Sequence, residues 1–172
     1  MKKVTVLVGL IVLTVVPAFA QEYPKAEIFG GFSLLNTDLD GERENGYGWQ
    51  TSIAGNFHKN VGFVADFGGQ YGKFFFIPWS TYEIGFGPRF YVRGDKTTGF
   101  VHALFGAYHA RALGESETDF GMSFGGGMDV NVTNRVAVRV VQFDWFIYRA
   151  EDLWRKKDIR LGFGVVFKAG GR

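Results

Sequence analysis

The residues with the most chemistry in this chain of 172 residues are ionic side chains set among glycines. Glu27, Asp66, Glu83, Asp129 and Asp144 occur with Arg89, Arg139 and Arg160, each flanked on both sides by bulky or apolar neighbours or by glycine. A charge held away from bulk water is costly unless it is paired and hydrogen-bonded, so groups gathered on one face should bind one another across it. Glycines at 31, 68, 85, 87, 125, 127, 162 and 164 leave room for long arginine side chains. Such a set can fill an interior as a plug or line a selective path for ions. Three histidines complete the reactive inventory: His58 in a turn, His102, and His109 not far from Ser116. A hydrolase site would need a nucleophile fixed beside its base, and no spacing here does that. Gly85-Phe86-Gly87 and Gly125–Gly127 mimic phosphate loops, yet neither precedes a helix and no Gly-Lys-Ser/Thr follows. The absence of cysteine excludes disulfides and thiolate metal sites. No metal or other cofactor is expected.

The elements that must position these groups are strands. From Tyr82 to Arg93, Tyr82, Ile84, Phe86, Pro88, Phe90 and Val92 alternate with Glu83, Gly85, Gly87, Arg89, Tyr91 and Arg93. A period of two places the two sets on opposite faces. Large side chains fill one face, and glycines and charges most of the other, which suits a small transmembrane barrel with lipid outside and a narrow lumen inside. Lys25–Leu35, Tyr47–Phe57, Val61–Gly72, Phe120–Val132 and Ile159–Phe167 repeat the pattern. Phe100–Ala110 is apolar on both faces, and His102 and Gly106 are assigned to its inner one. In Val136–Trp145 the parity breaks, because a regular strand would send Asp144 into lipid. A β-bulge at Val140-Val141 restores it and turns Arg139, Gln142 and Asp144 inward. Each segment is about ten residues, the length that crosses a bilayer at a tilt. A soluble barrel with the aromatics inside is the alternative, and its interior is too narrow for them.

At the N-terminus, Lys2 and Lys3, an apolar run over Val4–Val16 and Ala18-Phe19-Ala20 form a secretory signal peptide cleaved after Ala20. The chain has 19 basic and 17 acidic residues; without Lys2 and Lys3 the two are equal at 17. The mature part therefore has no basic excess, and no nucleic-acid partner is expected. Residues 21–172 form one domain.

Eight strands put both termini on one side, the periplasm. His58–Asn60, Arg93–Gly99 and Thr133–Arg135 are then short periplasmic turns, and Asn36–Gly46, Phe74–Ser80, Arg111–Asp119 and Arg149–Lys157 longer extracellular loops. Tyr47, Trp49, Tyr71, Tyr82, Tyr108 and Trp145 lie near the outer strand ends, as an interfacial aromatic girdle requires. Pro88 cannot donate to a ladder, so a local irregularity is expected there. The apolar stretch Phe74–Trp79 is either strand entering the interfacial belt or an exposed patch for a partner. Arg155-Lys156-Lys157 has the charge to neutralise lipopolysaccharide phosphates.

Glu27–Ser33, Gly125-Gly126-Gly127-Met128-Asp129, Val138–Trp145 and Arg160–Phe167, taken in order and spacing, resemble the outer-membrane β-barrel domain family, related to the transmembrane barrel of outer membrane protein A. The resemblance covers the whole mature chain. It implies a Gram-negative outer-membrane protein inserted by the barrel assembly machinery, with Phe167 as the terminal aromatic of the assembly signal and Val165, Phe163 and Leu161 at alternate positions before it. Lys168–Arg172 extends past that aromatic, where many members of the family end. The expected architecture is all-β: an eight-stranded antiparallel up-and-down transmembrane β-barrel, preceded by a cleaved signal peptide. The expected protein is a monomer without catalytic activity, in contact with outer-membrane lipids and lipopolysaccharide. Its role is envelope integrity or surface interaction through the loops. A narrow porin-like channel is the alternative, and a lipid-modifying enzyme the third.

Overall fold

Every alternating segment is a strand in the computed structural model, which describes residues 23–39, 42–74, 76–112, 114–150 and 153–170. The order is β1 (Ala26–Leu39), β2 (Glu42–His58), β3 (Val61–Phe74), β4 (Ile77–Arg93), β5 (Thr97–Ala112), β6 (Glu115–Asn131), β7 (Val136–Ala150) and β8 (Leu153–Ala169). Each strand pairs antiparallel with the next, and β8 returns to β1 to close the barrel. Closure leaves no edge, so the ladder satisfies the backbone without help from solvent, which is what hydrocarbon demands. At the closing seam Gly31 faces Gly164. A Cβ on Gly31 would lie 2.9 Å from the Gly164 Cα, so the two strands meet closely only because side chains are absent there. The signal-peptide segment, residues 1–20, lies outside the described residues.

The two faces of the sheet separate as the alternation requires. Phe63, Phe86, Phe105, Phe124, Phe143 and Phe163, on six different strands, point outward and are 41–52% exposed. In water this belt would be prohibitive; against lipid tails it is matched to its solvent. The inward face buries Glu27, Asp66, Glu83, Arg89, Asp129, Arg139, Asp144 and Arg160. It also carries apolar side chains, among them Phe29, Val64, Phe100, Leu104 and Val166.

The strands run to 14–17 residues, longer than the bilayer crossing alone. The residues read as long extracellular loops continue the hairpins instead. Only residues 40–41, 75–76, 113–114 and 151–152 separate the strands at that end. The physical reason is that polar arms such as Glu115–Asp119 go on pairing with Tyr108–Ala112 once they leave lipid. At 75–76 and 113–114 the chain reverses through Phe76 (φ 100°) and Gly114 (φ 86°).

The bulge in β7 lies where the parity break demands. Arg139 pairs with Gly164 and Gln142 with Gly162, so Val140 and Val141 together oppose Phe163. Toward β6, Met128 pairs with Val141 and Asp129 with Arg139, skipping Val140. Both valines are exposed to the outside, while Arg139, Gln142 and Asp144 are buried. At Pro88 the irregularity is mild. Its pairing with β3 is continuous through Phe63, and toward β5 the ladder skips Gly87 and Pro88, then resumes in the same register at Arg89↔His102. The ambiguous strand β5 turns Phe100, His102, Leu104 and Tyr108 inward.

Candidate functional site

The lumen is the candidate site, and its centre is Arg160 on β8. Its Nη2 donates to Asp66 Oδ1 and to Asp144 Oδ2, each at 2.7 Å, and its Nε donates to Asp144 Oδ2 at 3.1 Å. Nη1 donates to Glu83 Oε1. One guanidinium thus ties β3, β4 and β7 to β8. A planar fork of donors can do this where a lysine ammonium could not.

Around that hub amides and a histidine use further lone pairs, while Glu83 Oε2 and Gln50 Oε1 are left without a partner. Gln50 Nε2 donates to Asp66 Oδ2 (2.9 Å), Gln70 Nε2 to Glu83 Oε1 (2.9 Å) and to Ser33 Oγ (3.1 Å), and Gln142 Nε2 to Asp144 Oδ2 (2.9 Å). His102 Nε2 sits 2.7 Å from Asp144 Oδ1. Arg139 grips Asp129 with Nε (2.8 Å) and Nη2 (3.1 Å) and donates from Nη1 to Gln142 Oε1 (2.6 Å). The web takes residues from every strand: Ser33, Gln50, Asp66, Glu83, His102, Asp129, Arg139 and Arg160, in chain order. Glycines make the space. A Cβ on Gly68 would lie 2.7 Å from Glu83 Cδ and 2.8 Å from Arg160 Nη1, and one on Gly125 would lie 2.8 Å from His102 Nε2.

The expected charge set is therefore gathered in one lumen, but not as one ion-pair cluster. Glu27 stands apart toward the terminal end, where Arg93 Nη2 lies 2.8 Å from its Oε1 and Asn56 Nδ2 donates to the same oxygen at 3.0 Å. Among the described residues Arg89 has no carboxylate at ion-pair distance; its Nη2 lies 3.3 Å from His102 Nδ1 and its guanidinium 4.5 Å from the centre of the Phe100 ring. Arg139 lies over Phe29 (4.2 Å) and over the same Phe100 (4.3 Å). Ring faces thus supply part of the negative potential that a carboxylate would. Gln50, Gln70, Gln142, His102 and Arg93 belong to the site as much as the acids do. Their inward parity placed them on this face, but only charged residues entered the expected network, which left out the amides, His102 and Arg93.

Nearer the turn end the lumen is filled by aromatics. Tyr108 is buried and stacks on Tyr148 with ring centres 4.6 Å apart and planes 8° apart, so it is no part of the outer girdle. Even spacing in a strand that is apolar on both faces could not separate an inward tyrosine from an outward one. Tyr148 OH donates to Asp158 (2.9 Å), which also accepts from Thr37 Oγ1 (2.9 Å). Between these rings and Arg160, Gly85, Gly106 and Gly121 line a cavity of about 20 Å³ beside Glu83, which is room for a single water molecule.

On the outside, Tyr47, Trp49, Tyr71, Tyr82 and Trp145 all face away from the lumen and are 39–56% exposed. Tyr71 and Tyr82 meet edge-to-face at 6.0 Å. Phe167 lies outward near the end of β8 with Leu161, Phe163 and Val165 on the same face. His109 Nδ1 is 2.6 Å from Thr118 Oγ1, not from Ser116, and among the described residues no carboxylate orients its ring. With the strand N–H groups engaged in the ladder, no oxyanion hole stands beside it. Arg155–Lys157 lie where side chains are outside the described set.

No family model and no curated protein matches this sequence. Solved structures do match its shape. Neisserial surface protein A superposes with a TM-score of 0.72 at 13% identity, over 86% of this chain and 99% of the other. The attachment invasion locus protein Ail of Yersinia pestis, solved with the heparin analogue sucrose octasulfate, matches at 0.57 and 16% identity over 86% and 99%. The N-terminal β-barrel domain of Pseudomonas aeruginosa OprF matches at 0.60 and 12% identity over 85% and 98%. At these identities the likeness is one of fold, and the fold is that of eight-stranded outer-membrane barrels.

Proposed function

We propose that this chain is a non-enzymatic protein of a Gram-negative outer membrane, exported by the leader at residues 1–20, whose lumen is closed by its own charge network and which acts through its outer end. The observation that carries this reading is Arg160 binding Asp66, Glu83 and Asp144 at once, with every strand joined to the web around it. A barrel of this strand number has an interior just wide enough for side chains, and here the side chains bind each other instead of water. What remains for function is the lipid-facing belt and the hairpin arms, which suits envelope integrity or contact with a surface. Two of the structural neighbours are a surface protein and an attachment protein by name, in keeping with such a role. Planar-bilayer recording of the refolded protein tests it. The expected result is no large, steady single-channel conductance, and such a conductance would move the assignment to a narrow channel.

A further inference from the structure

At the turn end, the pairing of β4 with β5 stops at Trp79↔Ala112, while β4 continues to pair with β3 through Lys73↔Pro78 and Phe74↔Ile77. Pro78 has no N–H to offer β5, so the two hairpins part there. The parting opens a cleft of about 650 Å³. Its apolar wall includes Phe76, Ile77, Pro78, Ala112 and the Trp79 ring, and its polar groups include Tyr71, Lys73, Ser80 and Arg111. None of the described lining residues is a carboxylate. Trp79 is only 8% exposed, and its indole lies on the lumen face over Gly46 and Gly72, behind the cations rather than beside them. Neither Lys73 nor Arg111 has an ion-pair partner among the described residues.

We propose that this cleft binds a lipid-borne phosphate of the surrounding leaflet. The cations lie on the lipid side of the wall: Lys73 shares its face with the outward Tyr71 and Phe63, and Arg111 shares its face with Phe105. Tyr71, Ser80 and Arg111 form one cross-strand row, and Lys73 stands one row beyond, just past the last outward aromatics. That is the level at which a headgroup phosphate meets an interfacial aromatic belt. A soluble polyanion would be served better by cations on the tips or inside the mouth, whereas the inward arm of β6 there carries Glu115 and Glu117.

The proposal rests on the barrel lying in a bilayer, and the experiment separates the two. Refolded protein is placed in phosphatidylcholine nanodiscs containing diphosphoryl lipid A, and retained lipid is measured by native mass spectrometry, with heat-modifiable gel migration as the check of insertion. The wild type should retain diphosphoryl lipid A and not its dephosphorylated form. Lys73→Gln with Arg111→Gln should weaken retention about thirtyfold, two headgroup cations each contributing about fivefold. Trp79→Phe, which alters only the lumen side, should leave retention unchanged. Arg135→Gln, in an exposed turn at the opposite end, should change nothing. Equal retention by the double variant, equal retention of the dephosphorylated lipid, or displacement by sucrose octasulfate at matched concentration would each overturn the proposal while leaving the barrel intact. Failure to form a heat-modifiable species would overturn the membrane reading itself.

Discussion

The middle of the lumen and its mouth are filled by different chemistry. In the middle, Arg139 and Arg160 are 1% exposed and bound to carboxylates and amides on several strands. At the mouth, Trp79, Tyr108, Phe146 and Tyr148 fill the section with rings, and Asp158 accepts from Tyr148 and Thr37. The difference follows from how each region can be solvated. Polar groups in the middle have little water to fall back on and are mostly satisfied by each other, Glu83 Oε2, Gln50 Oε1 and Arg89 Nε being the exceptions. Rings at the mouth fill space by packing, so each can be removed with less effect on its neighbours. The middle should therefore behave as a unit and the mouth as separate pieces.

The largest effect should come from breaking the hub. Arg160→Leu leaves Asp66, Glu83 and Asp144 buried without their common cation, which should cost about 3–5 kcal/mol. Urea unfolding in detergent, followed by heat-modifiable migration, reads this directly. Adding Asp66→Asn, Glu83→Gln and Asp144→Asn to the same variant should recover most of the loss, because a buried ion cluster costs nearly as much to desolvate as it returns. If the quadruple variant is no more stable than the single one, the middle is not a coupled unit and the contrast with the mouth fails.

A deletion experiment in β7 tests how the middle is aimed. Removing Val140 takes out the residue that both neighbouring ladders skip, and leaves Arg139, Val141 and Gln142 alternating in the original sense. That variant should fold, with a loss of about 1 kcal/mol from one lipid-facing valine and the local twist. Removing Phe143 instead puts Asp144 on the lipid face, a change costing about 2 kcal/mol for that carboxylate alone and more as the register beyond it fails. Equal tolerance of the two deletions would mean that the bulge does not set the inward parity.

Much of this was legible because lipid and lumen impose opposite preferences on successive residues. Seven of the eight segments declared their faces, and the one parity break, at Val140-Val141, was informative because Asp144 cannot face hydrocarbon. Legibility ended where that opposition ended. Beyond the bilayer, Glu115–Asp119 has no apolar face to alternate with, so hairpin arms read as loops. Within β5 both faces are apolar, and the inward direction of Tyr108 could only be seen against a neighbour of known facing. The glutamines carry inward parity but stand outside a network drawn from charges alone, whereas what the buried carboxylates require is donors of any kind.

A subtler test of the middle replaces Arg139 with Lys. The ammonium keeps the charge but loses the two-point grip on Asp129, the bond to Gln142 and the flat contact with Phe29 and Phe100. The expected loss is about 2 kcal/mol in the same unfolding measurement. At the mouth, Tyr148→Phe removes the bond to Asp158 and should cost about 1 kcal/mol. Because Asp158 keeps Thr37, the effect should add to that of Arg139→Lys, with a coupling below about 0.5 kcal/mol.

The smallest effect sits at the tip of the β3–β4 hairpin. Phe76 is 97% exposed with φ at 100°, a backbone state that a bulky residue adopts only at a cost. Gly114 occupies the matching place in the β5–β6 hairpin without that cost. Phe76→Gly should therefore stabilise the barrel by about 1 kcal/mol if the ring does nothing but pack. The ring also walls the cleft, so the same substitution should loosen retained lipid while raising the unfolding midpoint. Stability and binding moving in opposite directions at one residue is what a mouth built of separable pieces predicts, and a loss of both would mean that the tip is tied to the rest of the barrel as tightly as the hub is.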